Sequence, residues 1–135
     1  MSARETLRKL ILAAVRDAVQ LPLEGENLDF DRTPGEPWGS VYLRMGPTYV
    51  ATLGEGGSDG LSGYVQVDLR YPSHLEDDLA ARTVQVLGKL HAGRRLSSGL
   101  VTVDLVSHGR VRTVTDEPVG LLRNLTINWS GRLPR

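Results

Sequence analysis

His74, Glu76, Asp77 and Asp78 form the densest cluster of chemically capable side chains in the sequence. Histidine and carboxylates ligate metals and move protons, and a helix would bring His74 and Asp78, four residues apart, onto one face. Two ligands do not make a metal site, which needs at least one more from elsewhere in the chain. The same residues also spell a helix start. Ser73 followed three residues later by Glu76 is a capping-box pattern. The three acids fall in the first turn, where the helix dipole favours negative charge by about 0.3–1 kcal/mol each. Successive helical residues are rotated by about 100°, so these carboxylates fan outward instead of converging. Asp78 also precedes Arg82 by four, the favourable order for a helical ion pair. The spacing therefore predicts a capped helix, with a metal-dependent enzyme on His74 and Asp78 as the alternative.

The other motifs lead no closer to catalysis. Gly54, Gly56, Gly57 and Gly60 fit neither the dinucleotide nor the Walker pattern, and no helix follows them. Residues 54–63 read instead as a flexible hairpin tip with Leu61 as its only apolar side chain. The serines lack a nucleophile elbow, and the three histidines have no acid–base partner by spacing. With no cysteine, disulfides, thiolate nucleophiles and cysteine zinc sites are excluded. Arg94–Arg95 and Arg110/Arg112 could touch phosphates or be solvated surface charge. No catalytic, cofactor or metal residue is expected.

The elements that carry these residues follow from periodicity. Leu7, Leu10, Ile11, Ala14, Val15 and Ala18 recur at helical spacing, Ser2 and Glu5 form a capping box, and Leu21–Pro22 ends the helix. A proline- and glycine-rich connection follows, with Phe30 and Trp38 as apolar anchors. Alternation then predicts a hairpin of SVYLRM and YVATL turning at Gly46–Pro47, and a strand YVQVDLRY. A second helix spans about His74 to His91, ended by Gly93. LVTVDLV and LLRNLTINW read as further strands, and residues 108–120 as hairpin extension or loop. The sum is an α+β fold, a single domain over 1–135. Its mixed, largely antiparallel sheet has both helices on one face. The opposite face would carry Tyr42, Arg44, Tyr64, Gln66, Asp68, Arg70, Thr102 and Asp104. Tyrosine and arginine are enriched in protein interfaces, although solvated antiparallel faces are also common.

Formal charge is zero, so the totals show no electrostatic footprint for wrapping nucleic acid. Only two of the 16 basic residues are lysines, a bias that suits interfaces and equally suits a GC-rich genome. No apolar run is long enough to span a membrane. Arg16 and Asp17 interrupt the N-terminal apolar stretch, which reads as a helix of the mature protein, kept in a cytoplasm.

The series resembles a known family. An amphipathic N-terminal helix leads to ENLDFDRTPGEPWGSVYLRM, a glycine-rich loop, GYVQVDLRYP and a helix ending near LHAGRRL. GLVTVDLV and NLTINWSGR complete it. This order resembles the tail terminator (tail completion, minor tail) proteins of long-tailed bacteriophages, of the lambda-like type. The resemblance implies a hexameric ring that caps the tail tube, stops its polymerisation and offers a joining surface to the head connector. DNA would pass through the lumen without specific binding. The protein would be assembled in the bacterial cytoplasm into the neck of the virion. Partners would be further copies of this chain, the tail tube protein and the connector, with no cofactor and no membrane. Candidate contact residues are Tyr42, Arg44, Tyr64, Arg70, Leu61, Arg94 and Arg95. Another neck or head-closure component is the alternative within this class.

Overall fold

The computed structural model describes residues 2–26, 34–109, 111–116 and 120–135, and only the backbone over 114–116. The anchor expected at Phe30 lies outside them. Helix α1 (Ala3–Val19) starts as its sequence predicts: the Glu5 backbone N–H donates to Ser2 Oγ at 3.2 Å. It stops at Gln20, in a left-handed conformation with φ 55° and two residues ahead of Pro22. A helix leaves its last four carbonyls without internal partners. Here Arg16 O accepts from Gln20 N–H (3.0 Å). Asp17, Ala18 and Val19 accept from Lys89 Nζ (3.4 Å), Gln85 Nε2 (3.0 Å) and Arg82 Nη1 (3.0 Å). The second helix thus caps the first.

That second helix, α2 (Glu76–Lys89), corrects the capping-box expectation. Residues Ser73–Leu75 close a 3-10 turn, with Leu75 N–H donating to Pro72 O at 3.0 Å. The α-helix therefore begins two residues later, with Leu75 at its cap and no side-chain bond there. Ser73 caps nothing, while Glu76, Asp77 and Asp78 keep the dipole-favoured first turn. Arg82, expected to pair with Asp78, instead donates to Val19 O and to the Tyr71 hydroxyl (3.2 Å).

Among the described residues eight strands form one sheet: β1 (Leu23–Glu24), β2 (Trp38–Met45), β3 (Tyr49–Val50), β4 (Ser58–Tyr71), β5 (Arg95–Ser98), β6 (Val101–His108), β7 (Arg112–Asp116) and β8 (Gly120–Pro134). Their order is β1-β2-β4-β8-β6-β5, with β3 also on β4 and β7 also on β8. Only the β1–β2 pair is parallel among the described residues. The frame is the β4–β8 pair, in continuous register from Ser58↔Pro134 to Tyr71↔Leu121.

The expected hairpin at Gly46–Pro47 does not form. β2 and β3 lie end to end along β4, and Gly46–Pro47 is the break between them. A Cβ at Gly46 would meet Ser62 O at 2.7 Å, so only glycine lets this backbone pass so close. The true turn is residues 51–57, and β4 begins at Ser58, inside the stretch expected to be a flexible tip. Likewise β6 and β7 lie end to end along β8, and β6 itself carries a bulge between Leu105 and Ser107. Of residues 108–120, Arg112–Asp116 therefore extend the sheet as a strand on β8, in line with one of the two sequence readings, while 110 and 117–119 lie outside the described residues.

Odd-numbered residues of β2, β4 and β8 and Val101, Val103 and Leu105 of β6 face the helices, since side chains alternate along a strand. Val65, Val67, Leu69, Leu125, Ile127 and Trp129 join Leu7, Ile11, Val15, Leu79 and Val86 in one core. Gly63 pairs across with Trp129, whose ring occupies the space a side chain at 63 would need. Both helices pack on this face, α1 over β5, β6 and β8 and α2 over β4.

Candidate assembly surface

Among the described residues no helix lies over the even-numbered face of the sheet. Strand pairing lines its side chains into rows: Arg44–Tyr64–Asn128, Tyr42–Gln66–Thr126, Ser40–Asp68–Asn124 and Trp38–Arg70–Leu122. The sequence-expected Tyr42, Arg44 and Tyr64 are thus brought together on adjacent rows, with Arg70 on the same face two rows beyond Tyr42. Tyr42 is 52% exposed and its ring lies 6.4 Å from that of Tyr64, tilted by 46°. Arg70 is more enclosed, its guanidinium 5.1 Å from the Trp38 ring centroid, a cation–π arrangement. Asn124 Nδ2 donates to Asp68 Oδ1 (2.6 Å), and Asn128 bonds the Ser107 hydroxyl (3.1 Å). Polar groups held by one another in this way present a stiff, patterned surface.

Arg95 and Asp104 form a two-bond pair at this face's margin, 2.7 and 3.0 Å. The hydrogen bond from Arg95, with its charge, holds the Asp104 carboxyl below its ordinary range, and the same bond raises the Arg95 guanidinium. Arg94 does not join the surface. Its Nη1 donates to Lys89 O (2.6 Å) and closes the end of α2.

Leu61 requires correction. It is 0% exposed, on the helix side of β4 near Leu7, and has no surface to offer a partner. The glycines around it suggested a loop; the register with β8 makes it core. The exposed tip holds Leu53 instead, at 89%.

The acidic cluster does not converge. His74 is exposed on the 3-10 turn and Asp78 on α2, and among the described residues no three His, Asp or Glu side chains group to hold a metal ion. Asp78 borders a groove of about 260 Å3 with Leu21, Pro37, Tyr71, Ala81, Arg82 and Gln85. Its Arg82 and Gln85 are engaged on α1 carbonyls, so the groove is a helix junction.

Besides the short β1, two features escaped the sequence reading. β5 is one; the Ser98–Gly99 step before an alternating run was its available signal. The other is Glu26, at φ 53°, whose Oε1 accepts the Leu43 backbone N–H (2.9 Å) while Oε2 meets Arg8 Nη2 (3.0 Å). A carboxylate here takes the place of a neighbouring strand along β2. Nothing in the local sequence announces it.

A family model described as phage tail terminator protein matches residues 4–129. A solved structure superimposes with a TM-score of 0.63, covering 92% of this chain and 94% of that one at 17% identity, a likeness of fold. No curated protein matches the sequence. No described helix is long and apolar enough to cross a membrane.

Proposed function

The chain belongs to the phage tail terminator family, a structural component of the virion, and on that premise we propose that it forms the ring that closes the tail. In this reading several copies, six by the family resemblance, sit on the finished tube, stop further addition of tube protein and present the joining surface for the head connector. DNA crosses the lumen without sequence-specific contact, and assembly takes place in the host cytoplasm. The supporting observation is the family match over nearly the whole chain, on a sheet with one face left free of helices. A surface of paired tyrosines, arginines and fixed amides suits protein contact better than catalysis. Tyr42, Arg44, Tyr64 and Arg70, with the 51–57 turn, are the surfaces offered to tube or connector.

The test is length control. Purified protein added to polymerising tail tube protein should cap tubes and shorten their length distribution in negative-stain images, with rings visible alone or at tube ends. Tubes growing to unchanged lengths with no ring bound would refute the reading. Binding to the head connector with no effect on tubes would assign the chain to head closure instead.

A further inference from the structure

Among the described residues, two strands leave an outer edge unpaired at the same height of the sheet. β3 borders only β4, and β5 borders only β6. A single lateral row runs Tyr49–Gly60–Arg132–Thr102–Ser97 from one edge to the other. Val50 and Ser98 lie one step further on. Leu105 N–H donates to Arg94 O (2.9 Å). Alternation along an antiparallel ladder then turns the backbone groups of Leu96 and Ser98 towards β6 and those of Arg95 and Ser97 outward.

Unpaired edges invite further pairing, and proteins usually cover them. Among the described residues the edge of β2 is screened, while β1 and β7, like β3 and β5, border a single strand each. β2 is screened by β1 and by the Glu26 carboxylate on Leu43 N–H. Among the described residues β3 and β5 have no comparable screen. Exposed apolar side chains gather beside both: Tyr49 (52%), Val50 (58%) and Leu53 (89%) at β3, Leu100 (79%) at β5. Charge does not set the two edges against each other: Arg95 is paired with Asp104, and Arg135 donates to the Thr52 and Gly54 carbonyls beside Glu55, so the match is one of backbone edges and apolar neighbours.

From these observations we infer that β3 of one subunit pairs with β5 of a second copy of this chain, joining the sheets head to tail. The inference rests on the ring reading above and names its subunit contact. Four antiparallel steps separate β3 from β5, so both point the same way, and rotation about an axis along the strands sets them parallel. A closed ring has no rise per subunit, so its two joining patches must stand at one height; a displaced pair would build a helix. The shared row meets that condition. Faces also match: Tyr49 and Ser97 both lie on the helix-free side, and Val50 and Ser98 both on the helix side.

The chain has no cysteine, so paired cysteines report this contact directly. Adjacent strands lie about 4.7–4.9 Å apart, within disulfide reach. Full-length protein carrying Val50→Cys and Ser98→Cys together, oxidised with tail tube protein present, should give a covalent ladder up to the full ring on non-reducing gels. Neither single variant should give a ladder. Separately, Ser97→Pro removes an N–H that the fold does not use and should abolish rings while circular dichroism stays native. Wild-type rings with no ladder in the double variant, or rings persisting in folded Ser97→Pro, would overturn the edge pairing and leave the ring reading standing. Wild-type protein forming no ring with or without tube protein would remove both.

Discussion

Leu61→Ala separates a core residue from a loop tip. Leu61 is fully buried, beside a point on Gly131 where an added Cβ would stand 3.5 Å from Leu61 Cδ2 and 2.5 Å from Leu7 Cδ1. Truncation removes three carbons, about 2.4 kcal/mol of transfer free energy at roughly 0.8 kcal/mol each. The unfilled space adds about 1–1.5 kcal/mol, because helix and sheet relax only partly around it. The expected loss is thus about 3–4 kcal/mol. At roughly 2.1 cal/mol/K per residue, 135 residues give an unfolding entropy near 0.28 kcal/mol/K, so Tm should fall by about 12 °C. Urea unfolding, followed by the fluorescence of Trp38 and the buried Trp129, should show a lower midpoint with an unchanged slope. Dilute protein avoids the stabilisation that association confers. A loss below about 1 kcal/mol with unchanged slope would refute the core placement and restore the exposed-tip reading.

Ser2→Ala should cost about 1 kcal/mol, because Ser2 Oγ accepts the Glu5 N–H, whereas Ser73→Ala should stay within about 0.5 kcal/mol; paired urea melts give the comparison. Glu26→Ala should destabilise by about 1.5–3 kcal/mol, since the Leu43 N–H and Arg8 lose a charged partner together. It also bares the edge of β2, so light scattering should show self-association absent from the parent. Asp104 titrates below its ordinary value when folded, so its contribution is present above the unfolded pKa and lost as pH falls through the lower, folded one. Asp104→Asn should therefore flatten a small part of the acid side of the stability profile, below about pH 4. Its exposure to solvent keeps that part small.

Periodicity was a sound guide wherever one face of an element is buried. The α1 stripe and the alternation of Val65, Val67 and Leu69, or of Leu125, Ile127 and Trp129, each encode their own partner face, and the core forms where the sequence places it. From these alone followed the α+β class, the sheet with two helices on one side and the helix-free face bearing Tyr42, Arg44 and Tyr64. The family was legible in the same order of elements.

What local pattern could not supply was pairing. Gly46–Pro47 looks like a turn whether the chain reverses there or runs on, and only β4, which accepts β2 and β3 in series, decides between them. Glycines at 54, 56, 57 and 60 suggest a loop, yet fourteen residues of β8 in register draw Ser58–Gly63 into the sheet and bury Leu61. Ser73 and Glu76 have the spacing of a cap, but the chain reaching Pro72 from β4 closes a 3-10 turn first. Arg82 has Asp78 on its own helix and turns to the carbonyl ends of α1, where three otherwise unpartnered acceptors await donors. Side-chain periodicity is a property of one segment, so sequence alone determines which face of an element is buried. Backbone pairing and helix capping join segments tens of residues apart, and only the tertiary structure decides which unpaired edges remain.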